Sequence, residues 1–95
     1  MNIASSLIKQ VIALHDSETW SYVRKAYLPS QYHRLYDEID KHLEQYHELP
    51  SFDDLRLSIR DKPTLEKVVV VEGIEVDVEA WTLLEYLKNE YAQKE

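Results

Sequence analysis

Six residues, Tyr32, Leu35, Tyr36, Ile39, Leu43 and Tyr46, recur at spacings of three and four. At about 100° per residue they fall within an arc of about 100°, which predicts an α-helix with one core-facing stripe. The opposite face carries Asp37, Glu38, Lys41, Glu44 and Gln45, which suits water. Pro50 is expected to end this helix, because a residue before proline is pushed out of the α region. Ser51 then reopens the chain as an N-cap, and Asp54 three residues on completes a capping-box-like start. Residues 32–55 therefore predict a long helix, a tight Leu49-Pro50 corner and a second helix folding back.

The flanking segments follow the same logic. Ile3, Leu7, Val11 and Leu14 form a stripe widened by Ile8 and Ile12, which predicts a first helix over 3–14. Asp16 or Ser17 caps a shorter helix from Glu18 to about Ala26, with Trp20, Val23 and Tyr27 on one side. Leu28-Pro29-Ser30 breaks the chain, and Ser30 is the expected cap of the long helix. Beyond Ser51, the residues Phe52, Leu55 and Ile59 mark a helix ending near Arg60-Asp61-Lys62-Pro63.

The run KVVVVEGIEVDV has two readings. Its β-branched residues suit a hairpin about Glu72-Gly73. Pro63-Thr64 suits a helix start and Gly73 a helix stop, and an isolated two-stranded ribbon is marginal in water. The helix is preferred.

The last helix is expected from near Asp77 onward. Val78, Trp81, Leu83, Leu84, Tyr86, Leu87 and Tyr91 leave only a narrow polar strip at Thr82, Glu85 and Asn89. Such a helix has to be covered on more than one side, by its own domain or by another chain. The fold class expected is all-α: one domain, 1–95, of about five or six helices.

Chemistry is harder to find. The one glycine, Gly73, excludes a P-loop and a dinucleotide fingerprint, which both need several. With no cysteine there is no disulfide framework and no thiolate chemistry, which fits a reducing cytosol. The net charge of −7 argues against strong, independent DNA binding, and Arg24, Lys25 and Arg34 form the nearest thing to a basic patch. No apolar run approaches the ~18 residues of a membrane span, and the first residues lack a signal-peptide pattern.

Glu38 and His42 sit at i and i+4, but zinc needs three or four convergent ligands, and there is no HExxH. No cysteine supplies the remaining ligands for His15, His33, His42 or His47, and His42 and His47 flank the apolar stripe, where a half-buried imidazole edge is common. Asp37, Glu38, Asp40, Glu44 and Glu48 lie along one helix rather than across a cleft, so they read as a solvated face. Ser5, Ser6, Ser17 and Ser21 lack a G-x-S-x-G context. No catalytic, cofactor-binding or metal-ligating residue is assigned.

Taken end to end, the pattern resembles the N-terminal domain of DnaB-family replicative helicases, particularly phage versions. ASSLIKQVI is similar to the family's small-polar start followed by an apolar helix. YLPSQYHRLYDEI looks like its aromatic segment, with the His33-Arg34 and Leu35-Tyr36 pairs. YHELPSFDDLRLSI resembles its loop and capped helix and is the most specific piece. DVEAWTLLEYLKNEYAQKE looks like the helix leading into the family's helical hairpin.

The resemblance implies an N-terminal fragment of a longer helicase chain in a bacterial host cytoplasm. It implies self-association as a dimer or higher oligomer, docking of primase or helicase loader, and ATP and Mg only in a separate motor domain. Self-association is expected through Trp81, Leu84, Leu87 and Tyr91, and partner docking through Phe52, Asp53, Arg56 and Arg60. The alternative is a free-standing acidic helical regulator or inhibitor that binds a host protein.

Overall fold

A computed structural model describes residues 2–94, and among them it shows six α-helices and no strand. They are α1 (Ile3–Ala13), α2 (Ser17–Ser21), α3 (His33–Tyr46), α4 (Phe52–Ser58), α5 (Lys62–Glu72) and α6 (Ala80–Lys94). Two 3-10 turns, Lys25–Tyr27 and Ser30–Tyr32, lead from α2 into α3. The expected small all-α bundle is what the chain forms.

Four helix starts are set by short polar side chains that accept from free N–H groups of the first turn. Asn2 accepts from Ser5 N at 3.1 Å, Asp16 from Thr19 N at 3.1 Å, and Asp61 from Thr64 N at 3.1 Å. At α4 the capping box is complete. Ser51 Oγ accepts from Asp54 N at 3.1 Å, while Asp54 Oδ2 accepts from Ser51 N at 3.0 Å.

The valine run is helical. Asp61 and Pro63 start α5 and Gly73 closes it, so both ends are specified before the β-branched residues are reached. Thr64, Val68 and Val71 turn inward while Val69 and Val70 face water, a helical rather than an alternating division. Gly73 has φ −81°, which any residue adopts, so it ends the helix without needing a left-handed backbone.

Several expected boundaries move. Helix α3 stops at Tyr46, four residues before Pro50, because His47 takes the left-handed conformation at φ 60°. A left-handed residue just past the last turn is a common helix stop in its own right. Helix α2 stops at Ser21 and hands over to the 3-10 turn, yet Trp20 and Val23 are still buried and Tyr27 half-buried. Ser30 opens a 3-10 turn and caps nothing through its side chain. Helix α6 begins at Ala80 rather than near Asp77. The stretch before it is held against α1 by Gln10, whose Nε2 donates to Val78 O at 2.8 Å.

Helix α1 lies at the centre, packed most extensively on α6 and also on α5 and α2. Its Leu7, Ile8, Val11 and Ile12 are buried in one cluster with Leu83, Leu84 and Leu87 of α6 and Val68 and Val71 of α5. Leu14 lies beyond the helix end and is exposed, so it leaves the expected stripe. From α3, Leu35 and Ile39 enter the core, and the Tyr36 ring lies 4.9 Å from that of Trp20. Each aliphatic side chain buried in this way contributes about 1.5–3 kcal/mol. The radius of gyration, 12.4 Å, is that of a compact chain of this length (about 12 Å).

Candidate functional site

The surface expected on α6 divides. Leu84 and Leu87 are buried inside the domain, so they are not available to a second chain. The helix is apolar nearly all round because α1 covers one side, and that neighbour takes both leucines. Tyr91 is half-buried, with its ring 5.3 Å from that of Tyr27. Trp81 alone of the four stands out, 45% exposed at the edge of the packed face. Its partner is Tyr22, itself exposed, whose ring meets it edge-on at 5.5 Å. Two aromatic rings held against each other in water form a stiff apolar platform where α2 meets α6.

The residues expected to dock a partner on α4 are mostly engaged within the chain. Arg56 is ion-paired with both Asp53 and Glu72, which clamps α4 to the end of α5. The same end of α5 receives Lys9, whose Nζ donates to Glu72 O at 2.6 Å and lies 5.2 Å from the centre of the Phe52 ring. A cation there complements the negative end of the helix dipole. Phe52 is half-buried, and Arg60 is exposed just past α4. Of the four, Phe52, Asp53 and Arg56 take part in this corner, whereas Arg60 does not.

Next to that corner lies a groove of about 490 Å3 between the C-terminal half of α3 and α4. Tyr46 and Leu57 are its apolar elements, and Leu57, 82% exposed, is the most exposed large apolar residue described. Glu38, Glu48 and Asp54 supply carboxylates around it, with Lys41 the single lysine. His42 forms part of the wall. Its Nδ1 donates to Glu48 O at 3.0 Å, its Nε2 lies 3.7 Å from Asp54 Oδ2, and its ring is 4.6 Å from that of Tyr46.

Because a carbonyl can only accept, Nδ1 carries a proton and the ring is fixed in orientation. The Ser51 backbone N–H holds the Asp54 carboxyl below the usual carboxylate range, helped by the Ser51 hydroxyl and by His42 and His15 nearby. Asp54 is therefore anionic under ordinary conditions.

Of the groove's two apolar elements, Tyr46 was not legible as surface. Tyr46 falls on the core stripe of α3, but α3 ends on it and the stripe outruns its cover. Leu57 does carry a signal, since it lies opposite the Phe52, Leu55 and Ile59 stripe. Tyr22 lies on no stripe at all.

The remaining polar candidates fill structural places. His33 Nε2 is 2.9 Å from Leu28 O, and His15 and His47 are exposed residues with positive φ. His47 is thus a helix stop rather than a half-buried edge. Among the described residues no three His, Asp or Glu side chains converge to hold a metal. Two members of the small basic patch are neutralised, Lys25 by Asp37 at 2.9 Å and Arg34 by Asp61 at 2.8 Å. Among the described residues no helix is long and apolar enough to cross a membrane. No protein-family model, curated protein or solved structure matches the chain.

Proposed function

We propose that this chain is a non-catalytic assembly and docking domain, the N-terminal domain of a phage-type DnaB-family replicative helicase. In this reading it self-associates and offers a surface to primase or helicase loader in the bacterial cytoplasm. ATP and Mg belong to a motor domain elsewhere in the protein. The observation that carries docking is the exposed Tyr22–Trp81 pair, two aromatic rings in mutual contact on the surface of the bundle. Aromatic side chains are enriched at interfaces because they bury much area at little entropic cost. Support for the family comes from the resemblance, whose most specific stretch, YHELPSFDDLRLSI, forms the α3–α4 corner and the capping box.

Sedimentation of the chain over a wide concentration range tests the reading. Reversible association that Trp81→Ala weakens is the expected result, and a strict monomer, or association indifferent to that change, overturns it. The coding frame beyond Glu95 tests the family independently. A G-x-x-x-x-G-K-[ST] segment is expected there, whereas an immediate stop codon favours the free-standing acidic regulator.

A further inference from the structure

We infer that the α3–α4 groove is a binding site for a segment of another protein in which arginine alternates with aliphatic side chains. The inference does not depend on the helicase reading, and its surface differs from the Tyr22–Trp81 platform.

Three features of the groove select that chemistry. The first is charge. Glu38, Glu48 and Asp54 line it against Lys41 alone, and among the described residues neither Glu38 nor Glu48 is ion-paired. A cationic occupant supplies the missing counter-charge, and an acidic one is repelled.

The second is the aromatic wall. Tyr46 is more than half exposed, with His42 packed against it and tied to Glu48 O, so the ring is braced rather than free. A guanidinium stacks on such a ring while its N–H groups reach nearby carboxylates in pairs. An ammonium, a point charge with a tighter hydration shell, uses this arrangement less well, so arginine is favoured over lysine.

The third is Leu57. Being exposed on the far side of α4 from its own core stripe, it adds nothing to the packing of this domain. It gives an aliphatic side chain beside the arginine something to cover. The volume, about 490 Å3, takes two or three side chains and not a folded element.

Amide chemical shifts of the whole chain, titrated with a blocked hexapeptide of alternating leucine and arginine, test the inference. Lysine-for-arginine and glutamate-for-arginine versions of the peptide serve as comparisons. Expected are shifts concentrated at residues 38–48 and 54–58, binding at least threefold weaker for the lysine version, and none for the glutamate version. Tyr46→Ala, or Glu38→Gln with Glu48→Gln, lowers affinity at least fivefold. Val69→Ala with Val70→Ala on the exposed side of α5 leaves it unchanged.

Shifts scattered over the acidic surface, or equal affinity for the arginine and lysine versions, mean attraction by net charge alone and overturn the site. Concentration-dependent shifts at the same residues without peptide mean that a second copy of the chain occupies the groove, which also overturns it. All the substituted residues are wholly or partly solvent-accessible, so the variants remain folded and each result is readable.

Discussion

Arg34 Nε donates to Asp61 Oδ1 at 2.8 Å, joining the outer face of α3 to the residue that caps α5. The same aspartate accepts from Thr64 N at 3.1 Å and from the Thr64 hydroxyl, so one carboxylate starts a helix and fixes its neighbour. Arg34 is largely exposed, and an exposed pair adds little. Asp61→Ala is therefore expected to lower the urea midpoint clearly more than Arg34→Ala. Asp61→Asn, which keeps a capping oxygen, falls between them. Equal effects of Arg34→Ala and Asp61→Ala mean that the ion pair, not the cap, is what matters.

The pH dependence follows from two carboxyls held below their ordinary range. Ser51 N–H does this chiefly for Asp54, and the Thr64 hydroxyl for Asp61, with Arg34 assisting. A group whose pKa is lower folded than unfolded adds stability above its unfolded pKa and loses it as pH falls through the folded value. Stability is thus expected to be level down to about pH 4 and to fall below it. Urea midpoints measured between pH 6 and 2.5 check this. Asp54→Asn should flatten the acid limb while costing stability at neutral pH, and an unchanged limb in that variant rules out Asp54 as a source.

The core was the legible part, and for a physical reason. Leu7, Ile8, Val11 and Ile12, or Leu35 and Ile39, are set by the helical period, which the sequence carries directly. The cap at Ser51 was legible too, and that of α2 to within Asp16 or Ser17, since both use local bonds between residues three apart. The end of α3 was not, because it depends on His47 turning left-handed, a choice that histidine makes only in context. The surface of α6 was only partly legible, for the opposite reason. Seven apolar residues around one helix do not say which side α1 takes, and only the packed bundle assigns Leu84 and Leu87 inward and Trp81 outward. Periodicity marks Leu57 as outward but not the groove itself, which is made by two helices meeting at the Leu49-Pro50 corner.

Ile39 is fully buried at the middle of α3, where it joins the α1 and α5 side chains of the core. Ile39→Ala is expected to cost about 2–5 kcal/mol, enough to unfold a marginal domain. Leu57→Ala, on the exposed side of α4, should change stability by less than about 0.5 kcal/mol. Thermal and urea unfolding of the two variants gives the comparison. A large loss from Leu57→Ala indicates that the groove is closed by contacts absent from this structure.

At His47 the backbone sits at φ 60°, with its N–H donating to Leu43 O at 2.8 Å. A left-handed residue with a Cβ carries a strain of about 1–2 kcal/mol that glycine escapes, against about 0.5–1 kcal/mol for glycine's greater freedom when unfolded. His47→Gly is therefore expected to stabilise the domain by about 0.5–1 kcal/mol, and His47→Val to destabilise it, since branching at Cβ worsens the strain. Urea denaturation reads both. A loss of stability in His47→Gly means that the imidazole makes contacts worth more than the strain it imposes.

Ser5 and Ser6 are neighbours in α1, both buried, and only one is satisfied. Ser5 Oγ donates to Asn2 O at 3.2 Å, whereas Ser6 Oγ, with almost no access to solvent, makes no hydrogen bond to a described residue. An unpaired buried hydroxyl forfeits its bonds to water without replacement, and serine is also a poorer helix former than alanine. Ser6→Ala removes both penalties and loses only one small atom of packing, so it is expected to raise stability by about 1 kcal/mol. Ser5→Ala gives up a bond to the end of the helix, so it should be neutral or destabilising. The sign of the difference between the two variants, measured by equilibrium unfolding, is the test. If Ser6→Ala is the more damaging of the two, its hydroxyl has a partner in solution and the α1 core is wetter than this packing implies.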